Sequence, residues 1–335
     1  MQIFTESKLT QVQNLFLEKK NFVITAHKSP DGDSIGSSVA LYHYLKKKKI
    51  NVTICHPDPH PYFLDWMKGT ETIINYEQTP DAVKAKLEEA DVIFCLDFNT
   101  LNRIGGMSKV VENSKAEKIM IDHHLHPSDE FDINFSDPAS CSTAQLIADF
   151  ILCMNDEQLL DENIGEAIYT GIMTDTGSFR FSSVTSHTHE VIALLMKYGV
   201  KPYKIHEAVF DTNTLDKLRL RSYAINEKLE IIPDSQTAII SLTQAELKKY
   251  NYVKGDTEGL VNVGLSINGI KRSIFLKEDG IIKISFRSKG ENNPVNVMAA
   301  THFEGGGHAN ASGGKWNGTL AEAIQKIKNV LPEYD

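Results

Sequence analysis

The 335-residue sequence is poor in cysteine, in long apolar runs and in positive charge. Its four cysteines form no Cys-x-x-Cys pair, and so few in so long a chain do not make a disulfide framework. We expect them to be packing residues of a cytoplasmic protein. No apolar run approaches the ~18 residues of a membrane helix. The first residues, MQIFTESKLT, also lack the basic and apolar stretches of a signal peptide, so neither a membrane nor an export function is expected.

The composition is that of a globular protein, with 41% hydrophobic and 24% charged residues, and the length suggests two domains. The net charge of −9 argues against stable, sequence-independent binding of duplex nucleic acid. The charge is uneven, because residues 236–335 carry a net +2 and the rest a net −11. This asymmetry is compatible with a metal site in the first part and an anionic substrate in the second, although ordinary variation also produces it.

The first half of the chain alternates short apolar runs with helical patterns, which predicts an α/β fold with a parallel sheet. The predicted strands are 22–27, 51–55, 92–97 and 118–122, and Asp33 and Ser34 are candidate caps of a helix that continues to Lys49. Further helices are predicted at 141–154, 162–173, 187–198 and 203–231. We therefore expect a first domain over 1–186 and a semi-rigid helical connector over 187–235.

The pattern changes at about residue 236, where strand-like runs separated by turns replace the long helical patterns. Strands are predicted at 237–242, 259–267, 272–277 and 280–288, and helices at 294–302 and 319–330. This predicts a second, smaller α/β domain with a mixed sheet over 236–335.

Acidic and histidine residues follow several predicted strands and one helix. In open parallel sheets, ligands bind beyond the carboxyl ends of the strands. One such residue alone is more often a turn or cap residue, but the set is difficult to explain in that way. Its members are His27, Asp31 and Asp33 in AHKSPDGDS, Asp97 in LDFN, Asp122, His123 and His124 in IDHH, and Asp175 in GIMTDTGSF.

Four carboxylates in one site would repel one another and would not all stay ionised without cations. The four aspartates at positions 31, 33, 97 and 175 bring a charge of about −4, which two divalent ions would neutralise. Oxygen-rich ligands with one or two imidazoles suit Mn²⁺ or Mg²⁺. Two such ions activate water and stabilise a phosphoryl displacement, so the residues favour phosphoester hydrolysis.

The second domain contains Arg287 near a strand end and the glycine-rich loop FEGGGHANASGG (303–314). Consecutive glycines let a backbone approach an anion closely, and arginine binds phosphate in a bidentate manner. Considered without the rest of the chain, the glycine-rich loop could equally be a flexible turn without a binding function. In a chain with a metal site, phosphate or nucleotide binding is the better interpretation.

The motifs AHKSPDGDSIGS, LDFN, IDHH and GIMTDTGSF resemble, in order, the four motifs of the DHH phosphoesterase superfamily. EGGGHANASGG resembles the signature of the DHH-associated C-terminal domain. The resemblance covers nearly the whole chain and is greatest to the compact nanoRNases, which are bifunctional oligoribonucleases and pAp phosphatases. It implies a cytoplasmic enzyme with two Mn²⁺ per chain, or Mg²⁺ in their place. Its substrates would be short single-stranded RNA and adenine nucleotides, and a homodimer is left open.

The resemblance also implies roles for individual residues. One Mn²⁺ would be held by His27, Asp31 and Asp97, with Asp97 bridging to the other. Asp122 would steady the site, and His124 would stabilise the reacting phosphate or donate a proton to it. The second Mn²⁺ would be held by Asp33, Asp97, His123 and Asp175. The other end of the substrate would be bound by Arg287, Gly305, Gly306, Gly307 and His308.

Several alternatives stay open at this point. A phosphodiesterase acting on cyclic-di-AMP or linear pApA would carry the same motifs, and a non-catalytic nucleotide- or RNA-binding module would keep the fold. Family II pyrophosphatases share the first four motifs but lack the GGGH loop. The roles of Arg103, His126 and Arg180 are also undecided.

Overall fold

The structure is a computed structural model that describes residues 3–290 and 292–334. The chain forms two compact units, Met1–Thr212 and Asn213–Asp335. Their boundary falls inside the predicted connector, 187–235. Each unit is built on a six-stranded sheet, the first parallel and the second mixed, which confirms the predicted fold class.

The first sheet has the strand order β3-β2-β1-β4-β5-β6, and every ladder between its neighbours is parallel. Its strands are β1 (Asn21–Ala26), β2 (Asn51–His56), β3 (Ile74–Asn75), β4 (Val92–Leu96), β5 (Glu117–Asp122) and β6 (Ile133–Ser136). The strands that supply the candidate site residues, β1, β4 and β5, are therefore adjacent.

Helices cover both faces of this sheet. They are α1 (Glu6–Glu18), α2 (Gly32–Lys47), α3 (Pro80–Glu89), α4 (Ser108–Glu112), α5 (Thr143–Cys153), α6 (Glu162–Asp175), α7 (Ser186–Lys197) and α8 (Pro202–Phe210). Single turns of 3-10 helix lie at Tyr62–Leu64, Thr70–Thr72 and Glu157–Leu159, and a longer 3-10 segment at Leu101–Met107.

Two apolar clusters explain why the strands are continuous hydrophobic runs. Along β1, Phe22 and Ile24 belong to the larger cluster, whereas Val23 belongs to the smaller one on the other face. Residues of α2, α5 and α6 contribute to the larger cluster, and residues of α3 and α4 to the smaller. A strand buried on both faces needs apolar residues at consecutive positions.

Glycines let α2 and α6 approach each other closely. A Cβ at Gly36 would lie 2.5 Å from the carbonyl oxygen of Ala167, and a Cβ at Gly171 would lie 2.4 Å from the Cβ of Ala144. Real Cβ atoms do not come so near, so either substitution forces a helix to move. This contact brings the first turn of α2 against α5 and α6.

The second sheet has the order β11-β12-β10-β9-β8-β7. Among its described ladders, only the one between β8 and β9 is parallel. The strands are β7 (Leu229–Ile232), β8 (Thr237–Leu242), β9 (Arg272–Asp279), β10 (Ile281–Ser288), β11 (Gly306–His308) and β12 (Ala311–Trp316). The helices are α9 (Leu215–Glu227), α10 (Gln244–Lys249), α11 (Leu260–Leu265), α12 (Asn296–His302) and α13 (Leu320–Val330), followed by a 3-10 turn at Leu331–Tyr334.

The structure corrects three sequence predictions in this part of the chain. The run 259–267 is not a strand but contains α11, which buries Leu260, Val261 and Gly264 at helical spacing. The predicted helix 203–231 is instead α8, α9 and the start of β7, since residues 211–214 interrupt it. The glycine-rich segment is a β-hairpin of β11 and β12 rather than an irregular loop.

The four cysteines are free thiols, and three of them are buried. Within the described part of the chain, no helix combines the length and the apolar character needed to cross a bilayer.

The contact between α2 and α6 gives a stability prediction. We expect Gly36→Ala to lower the free energy of unfolding by about 1–3 kcal/mol, because the new methyl group would overlap the α6 backbone. The measurement is urea unfolding followed by circular dichroism. Lys46→Ala, at an exposed position of the same helix, is the control and should change stability by less than about 0.5 kcal/mol. Equal stability of the two variants would show that the helices do not approach this closely.

Candidate metal centre

The carboxyl ends of three adjacent strands bring the central residues of the site together. His27 follows β1, Asp97 follows β4, and Asp122 is the last residue of β5, directly before His123 and His124. Since β1, β4 and β5 are neighbours in a parallel sheet, these side chains emerge at the same edge. Asp97 has a left-handed backbone conformation, with φ of 62°, which aspartate tolerates better than most residues.

Two helix ends complete the site. Asp31 is the N-cap of α2, and its Oδ1 accepts hydrogen bonds from the backbone N–H groups of Asp33 at 3.1 Å and Ser34 at 3.0 Å. The sequence had suggested Asp33 and Ser34 as caps. The N-cap is neither of them. Asp33 lies inside the first turn with its side chain buried, and Ser34 is the third helical residue, whose hydroxyl accepts from the Asp31 N–H at 2.9 Å. Asp175 is the last residue of α6 and reaches the same edge.

The donor atoms form two groups that share Asp97. In the first group, His27 Nε2 lies 3.3 Å from Asp97 Oδ2 and 3.8 Å from Asp31 Oδ1. In the second group, His123 Nε2 lies 3.6 Å from Asp97 Oδ1. Asp97 therefore presents one oxygen to each group.

The second group is completed by Asp33 and Asp175. His123 Nε2 lies 3.7 Å from Asp33 Oδ2 and 3.5 Å from Asp175 Oδ2. The donor atoms of His27, Asp31 and Asp97 lie within 4.8 Å of one another, and so do those of Asp33, His123 and Asp175. Ligands at ~2.1 Å from one octahedral ion are separated by about 3 Å, so a small inward movement would let each group hold a divalent cation.

The buried carboxylates titrate abnormally without a cation. Burial raises the pKa of the Asp33 carboxyl well above its ordinary value, and the charge of Asp97 raises it further. Burial also raises the pKa of Asp175 to about 6, against the opposing influence of His123. Asp97 behaves differently, because its contact with His27 outweighs burial and lowers its pKa. The three aspartates cannot all be ionised at low cost unless positive charge is supplied.

The two imidazoles respond in the opposite direction. Burial disfavours a charge on His27, but Asp31 and Asp97 outweigh it and hold the pKa of His27 well above its usual value. Burial likewise opposes a charge on His123, and Asp175 and Asp97 raise its pKa overall. In the absence of metal ions, protons on these two rings therefore supply positive charge next to the carboxylates.

Asp122 and His124 form a separate pair beside Asp97. The fully buried Asp122 accepts a hydrogen bond at 2.7 Å from His124 Nδ1 and one at 3.0 Å from the His124 backbone N–H. His124 Nδ1 also lies 3.7 Å from Asp97 Oδ1. These bonds fix the orientation of the His124 ring and its distance from the shared carboxylate.

The segment that starts α5 contributes contacts that the sequence did not predict. The backbone N–H groups of Thr143 and Ala144 donate to Asp33 Oδ2 at 2.7 Å and Oδ1 at 2.8 Å. The Thr143 hydroxyl donates to Asp97 Oδ1 at 3.1 Å. The Ser140 carbonyl oxygen lies 3.2 Å from His123 Nδ1. The only sequence signal was a Ser-Thr pair before an apolar helix, which is typical of any helix start.

Of the residues with undecided roles, Arg103 lies in the 3-10 segment Leu101–Met107, whereas His126 and Arg180 lie outside regular helices and strands. The Arg103 carbonyl oxygen accepts from the Lys28 N–H at 2.8 Å, which connects the 3-10 segment to the residues between His27 and Asp31. The Arg180 side chain donates to the Gly177 carbonyl oxygen at 2.7 Å, and His126 is exposed. None of these contacts assigns a function.

In the second unit, the predicted substrate-binding residues lie on one edge of the mixed sheet. Arg287 on β10 is paired with Ala311 on β12, which is paired with His308 on β11. Directly opposed residues of antiparallel strands share a face. Arg287 and His308 therefore flank the small side chain of Ala311, about 10 Å apart across two strand spacings.

The glycines of the hairpin have distinct roles. A Cβ at Gly305 would lie 2.0 Å from the Gly313 carbonyl oxygen, and one at Gly307, where φ is 137°, would lie 2.6 Å from the Ala311 carbonyl oxygen. Both positions therefore require glycine for the hairpin itself. At Gly306 a Cβ would meet nothing within 4 Å, so the hairpin itself does not require glycine there.

Comparisons with known proteins agree with this architecture. Residues 21–172 match the model of the DHH family, N-terminal domain, and residues 237–334 match the DHHA1 domain. The bifunctional oligoribonuclease and PAP phosphatase NrnA of Thermus thermophilus is 30% identical over 92% of this chain and 89% of its own length. The cyclic-di-AMP phosphodiesterase GdpP of Bacillus subtilis is 23% identical over 96% of this chain and 49% of its own.

Among solved structures, an exopolyphosphatase-related protein from Bacteroides fragilis is 41% identical, with a TM-score of 0.93. The match covers 98% of this chain and 97% of that protein.

The raised pKa values of His27 and His123 predict that metal binding releases protons. Metal ions require neutral imidazoles and ionised carboxylates, whereas the carboxylates around His27 and His123 raise the pKa of both rings and favour their protonated forms in the metal-free protein. Affinity for Mn²⁺ should therefore fall as pH drops towards the pKa of Asp175, about 6. It should rise with pH until the raised pKa of His27 is passed.

Titration calorimetry with MnCl₂ in two buffers of different ionisation enthalpy measures this release, which we expect to be on the order of one proton per ion. His27→Asn should reduce the number of protons released per ion. His43→Asn, on α2 away from the donor groups, should not change it. An affinity for Mn²⁺ that is independent of pH between about 5.5 and 8 would contradict the linkage.

Proposed function

Because this chain belongs to the DHH family and is a hydrolase of phosphoester bonds, we propose that it cleaves short oligoribonucleotides and pAp. The products would be mononucleotides in the first case and AMP plus phosphate in the second. The similarity to NrnA over most of both chains supports this choice of substrates. The four free thiols suit the cytoplasm, where we place the reaction.

The observation that carries the proposal is the position of Asp97 between two donor groups. One oxygen faces His27 and the other faces His123, as expected of a carboxylate that bridges two ions. His27, Asp31 and Asp97 would hold one ion. The other would be held by Asp33, Asp97, His123 and Asp175. The donors are oxygen and imidazole nitrogen without thiolate, which favours Mn²⁺ and accommodates Mg²⁺.

When bound, two divalent cations lower the pKa of water and offset charge on the phosphoryl oxygens. The protein's part is to hold the ligands in a fixed geometry and to orient His124. Asp122 accepts the Nδ1 proton of His124 and offsets positive charge on the ring. In its protonated form, the ring can then present Nε2–H to the phosphate or to the leaving oxygen.

The second unit would bind the remainder of the substrate. Arg287 supplies a cation for a phosphate, and His308 supplies a ring on the same face of the sheet. The backbone at Gly305, Gly306 and Gly307 would lie next to the ligand, with Gly306 the most accessible of the three.

A phosphodiesterase acting on cyclic-di-AMP or pApA is the second candidate. The similarity to GdpP, which covers nearly all of this chain, is the observation that supports this second candidate. Both candidates use the same metal centre and differ only in the substrate.

A substrate panel tests the proposal. With MnCl₂, we expect fast hydrolysis of an RNA dinucleotide, an RNA pentanucleotide and pAp, and slow hydrolysis of an RNA of about 24 nucleotides, because a site that grips both ends of a substrate orients short ones best. Cyclic-di-AMP and linear pApA are the competing substrates. A preference for either of these by about 100-fold, which is ~2.7 kcal/mol in transition-state stabilisation, would move the protein to second-messenger turnover.

Two variants tie the measured activity to the metal centre. Asp97→Ala should reduce kcat/KM by at least about 100-fold, since it removes the shared ligand. Asp81→Ala removes a carboxylate that is 98% exposed and serves as the control. If Asp97→Ala retained more than about a tenth of the activity, the two-metal assignment would fail.

The substrate-binding residues of the second unit give a separate prediction. Arg287→Ala and His308→Ala should mainly raise KM, because both side chains are expected to bind ground state and transition state alike. Steady-state kinetics on the RNA dinucleotide measures the effect. Lys283→Ala removes another cation from the same strand, half-exposed and paired with Asp279, and should leave KM unchanged. A loss of kcat alone in both variants would place the substrate elsewhere.

A further inference from the structure

Thr143, the first residue of α5, contacts two carboxylates, those of Asp33 in the second donor group and of the shared Asp97. Its backbone N–H donates to Asp33 Oδ2 at 2.7 Å, and its hydroxyl donates to Asp97 Oδ1 at 3.1 Å. The residue is completely buried. A single residue thus connects the shared carboxylate to another ligand of the second group.

The framework around Thr143 is rigid. The Ser142 hydroxyl oxygen caps α5 by accepting from the Gln145 N–H at 3.0 Å. Ala144 donates to the second oxygen of Asp33, so that both of these carboxylate oxygens are bound to the helix backbone. Threonine itself is stiff at χ1 because it is β-branched. Its hydroxyl therefore has a fixed position relative to Asp33.

Asp97 needs such an anchor. Its two oxygens face different donor groups, with His27 3.3 Å from Oδ2 and His123 3.6 Å from Oδ1. Rotation of the carboxylate about its terminal bond, which is a soft torsion, would turn both oxygens away from these directions. The hydrogen bond from Thr143 to Oδ1 opposes this rotation.

We propose that Thr143 is a positioning residue that fixes the carboxylate plane of Asp97 and thereby the separation of the two metal ions. This inference rests on the proposed dinuclear function. Without the hydroxyl, each ion keeps its other ligands, but the bridging geometry is no longer enforced. Both ions must contact the same phosphate, so the loss should affect kcat more than KM.

The alternative is that Thr143 is only a well-packed first residue of a helix. Thr143→Val separates the two roles, because valine keeps the shape and the backbone N–H but removes the hydroxyl. Thr143→Ser restores the hydroxyl. Thr170→Val is the matched control, since Thr170 is also fully buried on a neighbouring helix, and its hydroxyl bonds only the Glu166 carbonyl oxygen among the contacts described.

The experiment uses the full chain loaded with MnCl₂ and combines metal analysis, electron paramagnetic resonance and kinetics on the RNA dinucleotide. Two Mn²⁺ ions bridged by a carboxylate give an exchange-coupled spectrum. We expect this spectrum for the wild type, Thr143→Ser and Thr170→Val. Thr143→Val should bind two ions with weakened coupling and lose about 10–100-fold in kcat, with little change in KM.

A Thr143→Val variant with wild-type coupling and wild-type kcat would overturn the inference. If that variant does not fold, Thr143→Ala provides the same test, because it keeps the N–H to Asp33 and lacks the hydroxyl. A wild-type protein without a coupled pair of ions would instead refute the dinuclear centre, and with it the proposed function. The two failures are therefore distinguishable.

Discussion

The mutual repulsion of buried carboxylates is the constraint on which the centre depends. Asp33 and Asp97 are almost fully buried and Asp175 is largely so, all within reach of His123. The fold provides two kinds of compensation, namely the backbone N–H groups at the start of α5 and the imidazoles of His27 and His123. The raised pKa values of Asp33 and Asp175 show that this compensation is incomplete. The remaining deficit is one of positive charge, which divalent cations can supply.

The close packing of α2, α5 and α6 serves this arrangement. A side chain at Gly171 would meet both Ala144 and Asp33, at 2.4 and 2.8 Å. Glycine at position 171 therefore lets the α6 backbone lie next to the Asp33 carboxylate, which the N–H groups of α5 contact from another side. The contact between α2, α5 and α6 therefore contributes both to stability and to the geometry of the site. The apolar core of the first unit holds the three helices at the distance at which the α5 N–H groups reach the Asp33 carboxylate.

The sequence predicted the parts of the site that follow from local pattern and one general rule. His27, Asp97 and Asp122 come directly after apolar runs, and adjacent parallel strands end at one edge. Thr143 could not be found in this way, since its role depends on the approach of α5 to two other elements. The run 259–267 was misassigned because helices and strands of this length share an apolar pattern. In the structure this run forms α11, and Gly264 lets the helix approach Ser273 on β9 closely.

The charge distribution gives a physical reason for the proposed preference for short substrates. Residues 1–212 carry a net charge of −11, so the first unit would attract a polyanion only where cations are bound at its metal centre. In the second unit, positive charge is modest and Arg287 is the cation of the proposed binding edge. Under the proposed function, a dinucleotide would bring only a few phosphates to such a chain. Each further phosphate of a longer RNA would face an acidic surface within a Debye length of about 8–10 Å, so added nucleotides bring repulsion without new contacts.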